Sequence, residues 1–219
     1  MKTILFAVCM ILAASTHAAV SSVFVWDAPP GGDPAMIQTA MSAKAIHEKL
    51  GATVFVGVDQ EGRMHYGVSF ETAAERGAFF DKIQTNEEFS ALMAEASQRD
   101  KAATMQEVFN MTVALGSGGA GGNVIMVFQY QPNPGRTEDV IAKMAEAKVI
   151  QEKLGAAVSV NIDEEGWAHY VLNFANWEAQ GKFADSLADN EAWNAFQQSL
   201  ADDPLAELKN VFRVTALTN

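Results

Sequence analysis

Valine recurs at every second position from Val54 to Val58, with Thr53, Phe55 and Gly57 set between, which is the period of a β-strand. Upstream the period changes. Met36, Ile37, Ala40, Ala43, Ile46 and Leu50 return at three- and four-residue intervals, the apolar stripe of a helix. Asp33 is placed to cap that helix with Pro34 at its first position, and Gly51 to stop it. Asp59-Gln60-Glu61-Gly62-Arg63 suits a three-residue hairpin loop with Gly62 left-handed, which pairs Gly57 with His65 and Val56 with Tyr66. Helical spacing resumes over 72–83 and 86–96, and strands are predicted at 23–26 and 108–115.

The pattern is then written a second time. Shifted by 104, residues 43–70 fall on 147–174 without a gap and with 16 identities in 28 positions. Both copies read AlaLys-x-Ile-x-GluLysLeuGlyAla-x-Val-x-Val-x-x-Asp-x-GluGly-x-x-HisTyr-x-x-x-Phe. Gly155 stops the second helix, Asn161 pairs with His169, and strands at 124–130 and 211–217 match those of the first copy. Each copy is therefore expected to run β-α-β-β-α-β, the ferredoxin-like order, over 19–115 and 123–219. A glycine-rich linker, 116–122, joins them, and it lacks the Gly-Lys-Ser/Thr ending of a phosphate loop. The expectation is an α+β fold of two tandem units, each of which makes most of its own core and packs on the other as a pseudo-dimer.

The ends qualify this picture. Met1-Lys2, the apolar run 4–14 and Thr16-His17-Ala18 read as an export signal over 1–18, too short to span a bilayer. Val8 before Cys9 argues against a lipid anchor, so the mature chain is expected near Ala19, periplasmic or secreted. It would hold no cysteine and 14 basic against 27 acidic residues, a net charge of −13. That excludes disulfides and thiolate metal sites, and it argues against nucleic acid and anionic membrane as partners.

Alternation assigns side chains to faces. Val54, Val56, Val58, Tyr66, Val68 and Phe70 share the face expected to carry the helices. The opposite face holds Phe55, His65 and Ser69 in copy one, and Ser159, Asn161, His169 and Asn173 in copy two. Strand four is read as adding Asn110 and Arg213 to that polar face. Two such faces packed together would enclose a cavity for a small molecule. His65 and His169 are the candidate general bases; Asn161, Asn173, Arg213, Ser69 and Asn110 are the candidate ligand contacts. Arg213 has Asn110 as its counterpart and suits a carboxylate or phenolate. Asp59, Glu61, Asp163, Glu164 and Glu165 sit at hairpin tips and read as turn formers with solvated charge. No His-x-His or Glu-x-x-His spacing supports a metal, and no cofactor is expected.

The GluLysLeuGlyAla helix end, the Asp-x-GluGly turn and the HisTyr strand, occurring twice, resemble the dimeric α/β-barrel superfamily. That group includes antibiotic-biosynthesis monooxygenase-like and NIPSNAP-like proteins. The resemblance implies an intrachain barrel with a pocket between its sheets. Some members are cofactor-free oxygenases acting on aromatic substrates, and some bind or degrade haem. Trp26 and Tyr130 stand on strand one without an Asn, a departure from the haem-degrading members' pattern. Three functions remain open: binding of a small apolar or aromatic molecule, a monooxygenase-like reaction with a cavity histidine as base, and a non-enzymatic interaction module. Pairing of edge strands would allow a homo-oligomer.

Overall fold

A computed structural model describes residues 19–116 and 122–217. The expected export signal, most of the glycine-rich linker and the last two residues lie outside the described residues. The first half runs β1 (Val20–Asp27), α1 (Asp33–Lys49), β2 (Thr53–Asp59), β3 (Met64–Phe70), α2 (Ala73–Gln84), α3 (Glu87–Ser97) and β4 (Thr104–Leu115). The second repeats the order as β5 (Val124–Pro132), α4 (Thr137–Lys153), β6 (Ala157–Asp163), β7 (Ala168–Phe174), α5 (Trp177–Ala188), α6 (Glu191–Asp202) and β8 (Ala206–Ala216). No helix among the described residues is long and apolar enough to cross a membrane.

All strand pairs are antiparallel, in the order β1-β3-β2-β8-β5-β7-β6-β4, and β4 returns to β1 to close a barrel. Each half supplies four consecutive strands, so closure depends on two seams. At one, Gly57, Val58 and Asp59 of β2 face Ala216, Thr215 and Val214 of β8. At the other, Met111, Thr112 and Val113 of β4 face Asp163, Ile162 and Asn161 of β6. The hairpin register is the one the three-residue loop requires: Gly57 faces His65, Asn161 faces His169, and Gly62 takes φ 88°. The seams are short, so β4 over 104–110 and β8 over 206–213 are paired on one side only among the described residues, which leaves two edge stretches for strand-to-strand assembly.

Helices cover the outside of the barrel over two separate cores. Ile46, Val56, Tyr66, Val68 and Phe79 pack in the first half, and Val160, Tyr170, Leu172, Phe174 and Phe183 in the second. A smaller cluster of Ile125, Val127, Phe212 and Val214, with Phe55 and Val171 against it, fills much of the barrel itself. Thr72, Asn86, Asn176 and Asn190 cap α2, α3, α5 and α6 by accepting from Glu75, Phe89, Ala179 and Trp193 N–H.

Several expectations are corrected. Asp33 does not cap α1. Gly32 does, because a tight turn (Gly32 N–H to Pro29 carbonyl, 2.7 Å) brings the backbone into line one residue earlier. β4 and β8 begin four to five residues before the expected starts at 108 and 211. Each is bulged, opposite Val25/Trp26 and Gln129/Tyr130, which interrupts the alternation that sequence reading relies on.

The β2–β8 seam is built on close approach. A Cβ at Gly57 would stand 2.5 Å from Val214 Cγ1 and 3.0 Å from the Thr215 carbonyl oxygen. Gly57→Ala should therefore lower stability by about 1–3 kcal/mol through overpacking. Gly77→Ala, on α2 with open space around the new methyl, should leave stability unchanged or raise it by about 1 kcal/mol. Urea unfolding of the two variants checks both; equal effects would mean the seam is not tight.

Candidate functional site

The barrel interior is where alternation sends the polar face. Phe55, His65, Ser69, Ser159, Asn161 and His169 line a cavity of about 120 Å³ there, together with Phe109 and Phe212. Each histidine is held by an aspartate from its own hairpin. His65 Nε2 donates to Asp59 Oδ2 at 3.0 Å, and His169 Nε2 to Asp163 Oδ2 at 2.8 Å. The Asp59 side chain is fully buried and also accepts from the N–H groups of Glu61 and Arg63 and from Arg63 Nε, each at 2.9 Å. Burial alone would raise its pKa; the bonds from His65 and the two backbone N–H groups outweigh that and hold the carboxyl below its usual value. Burial pushes the His65 imidazole down despite Asp59, so an ionised aspartate orients a neutral ring. His65 stacks on Phe212 at 5.0 Å, and His169 meets Phe109 edge-on at 5.1 Å.

The hairpin aspartates were expected to be solvated. They do form the turns, but their side chains fold inward onto the histidines. Asp59 and His65 lie diagonally across the Gly57–His65 pair on one face, so the Asp-x-GluGly-x-x-His spacing carried the signal.

Two ligand contacts expected in this interior lie elsewhere. Asn110 pairs with Ser22 on the outer face, accepting from Ser22 Oγ at 2.7 Å and donating to Glu164 Oε2 at 3.1 Å. Arg213 pairs with Met126, likewise facing outward. The physical reason is that β4 and β8 direct Phe109, Met111, Phe212 and Val214 inward, where these large groups take up much of the interior. Asn173 is buried opposite Ile125, and its Oδ1 has no partner among the described residues. Among the described residues no three His, Cys, Asp or Glu side chains cluster to hold a metal ion.

The larger space is on the other side of the sheet. In the second half a cavity of about 700 Å³ lies between α4, α5 and α6 and strands β5, β7 and β8. Its walls are apolar and aromatic: Phe128, Tyr130, Tyr170, Phe183, Trp193 and Phe196 among them. Tyr170 donates to Gln151 Oε1 at 2.7 Å, and burial raises the pKa of the Tyr130 and Tyr170 phenols, which keeps them protonated. Among the described residues no carboxylate and no imidazole lines this space.

The first half has the same layer but only about 200 Å³ in it. His47 replaces Gln151 and packs against Tyr66, Phe79 and Phe89 at 5.0–5.5 Å, while Met64 and Met93 stand where the second half has Ala168 and Gln197. Sequence reading passed over both spaces because the helix-bearing face reads simply as core.

No family model matches the chain, and no curated protein matches it. Solved structures do. A provisionally named monooxygenase from Lactobacillus acidophilus NCFM superposes with a TM-score of 0.67 at 12% identity, over 92% of this chain and 95% of its own. Another from Fusobacterium nucleatum subsp. nucleatum ATCC 25586 gives 0.69 at 8% identity, over 92% and 94%. An anthrone oxidase-like protein gives 0.60 at 13% identity, over 94% and 93%. The chain has the dimeric α/β-barrel fold. Identities this low carry the architecture and no more.

His47 generates a pH prediction. Its Nδ1 lies 2.8 Å from Tyr66 Oη, its Nε2 has no partner among the described residues, and burial lowers its pKa from 6.5 to about 4. Below about pH 6.5 the unfolded chain takes up this proton and the folded chain does not, so stability falls as pH drops towards 4. His47→Gln, which copies the Tyr170–Gln151 pair, should remove on the order of 2 kcal/mol of that loss at pH 5. Urea unfolding of both proteins at pH 7 and pH 5 checks it; parallel losses would show that His47 is not the titrating group.

Proposed function

We propose that this is an exported protein that binds a small apolar or aromatic molecule, and that it does so between the helices and the sheet of its second half. One observation carries the reading: the 700 Å³ aromatic cavity has the size and lining of a ligand pocket, whereas the 120 Å³ barrel interior has room for roughly four waters. On this reading the chain is a duplicated ferredoxin-like unit whose halves pack as the two subunits of a dimeric barrel would. One half kept a ligand-sized space, and the other filled it.

A second reading, oxygen-dependent chemistry on the bound molecule, is favoured by the names of the monooxygenase and anthrone oxidase-like neighbours. Against it, no carboxylate or imidazole among the described residues lines the cavity, and Lys143 there is paired with Glu146. His65 and His169 lie across the sheet in the barrel, and the two tyrosines are kept protonated by burial. Binding is therefore the better-supported function.

The neutral fluorophore N-phenyl-1-naphthylamine is a suitable probe. The purified chain should bind it with a rise in fluorescence, Ala147→Trp should abolish binding by filling the cavity, and His169→Ala should leave it unchanged. Leu187→Trp, from another wall, serves if the first variant misfolds. Binding that survives both fillings in folded protein, or that is lost in His169→Ala, would overturn the assignment.

A further inference from the structure

The second-half cavity has a cationic group on its lining for which the protein supplies no anion. Arg213 lines it from β8. Arg63, Arg99 and Arg136 are each held by carboxylates, whereas Arg76 on α2, like Arg213, pairs with none among the described residues. Arg213 is exposed, and its backbone N–H donates to Gln60 Oε1 at 3.1 Å. Among the described residues its guanidinium meets no carboxylate. What sets Arg213 apart from the other unpaired cations is its place on the lining of this cavity. Lys143 lines the same cavity and is paired with Glu146 at 2.8 Å.

Charge and surface therefore combine in a particular way. The walls offer aromatic faces for a flat ring, and the one unanswered charge on the lining is positive. The feature belongs to the second half alone, since the equivalent Asn110 is bonded to Ser22 and Glu164. The half that has the ligand-sized space is the half that has the arginine. A carboxylate brought into an apolar cavity without a cation would be strongly disfavoured. A guanidinium fork at the edge removes that penalty and can bind both oxygens.

We propose that the molecule held in this cavity is an aromatic organic acid, its ring system between the sheet and α6 and its acidic group on Arg213. This rests on the binding function proposed above and deepens it: the arginine selects among the molecules the cavity could hold.

Two probes with the same ring skeleton separate the claims. 8-Anilinonaphthalene-1-sulfonate is N-phenyl-1-naphthylamine with a sulfonate added. The purified chain should bind the anionic probe more tightly than the neutral one, by about tenfold in low salt. Arg213→Gln should abolish that preference and leave the neutral probe's affinity unchanged, and Arg213→Lys should restore part of it. Equal affinity for the two probes, or an anionic preference that survives Arg213→Gln, would overturn the acid inference while leaving the cavity intact as a binding site. Loss of both probes in Arg213→Gln would make the residue structural and would also overturn it. Failure of the wild-type chain to bind either probe would sink the binding function itself.

Discussion

Closure of the barrel is the constraint from which the rest of the structure follows. Four antiparallel strands in the order β4-β1-β3-β2 leave two edges, and so do the four of the second half; joining β2 to β8 and β4 to β6 at their ends closes the barrel. Strand residues alternate between faces, so closing the sheet decides what is inside and what lies under the helices. Everything with an odd number on β3 and β7, including both histidines, goes into a space that Phe55, Phe109 and Phe212 already crowd. The seams themselves are tight enough that one of them needs a glycine.

Inside such a space a titratable group survives only if it is paired, and the two halves solve this in the same way, with Arg63 as an extra partner of Asp59 in the first. Each hairpin turns an aspartate inward, satisfies one of its oxygens with the turn's own N–H groups, and gives the other to the histidine. These dyads organise the hairpins and hold the rings still. Departure from symmetry begins on the opposite face, where Gln151, Ala168, Trp193 and Arg213 replace His47, Met64, Phe89 and Asn110. Of these only Ala168 for Met64 clearly removes volume, yet one helix–sheet layer is packed and the other open.

Much of the fold was legible because strand and helix periods are strong where one face is buried. Val54 to Val58, the Gly62 turn and the stripe from Met36 to Leu50 led directly to β2, its hairpin and α1. The candidate site was legible in part. His65, His169, Asn161 and Ser69 do share a face, but their interior was too small, since the volume of Phe109 and Phe212 was assigned to the wrong side. Bulges in β1–β4 and β5–β8 pairing hide that parity from any reading of spacing alone. The larger cavity was not legible at all. It arises from unequal filling of two similar cores, and an apolar stripe looks the same whether its partner helix touches it or stands off.

The most direct measurement is a methyl NMR titration of the purified chain with N-phenyl-1-naphthylamine. The account predicts shifts concentrated on methyls under α4, α5 and α6, those of Met144, Ala147, Leu172 and Leu200, with Val171 and Val214 in the barrel left in place. Shifts centred on Val171 and Val214 instead would put the ligand between the sheets and contradict the account.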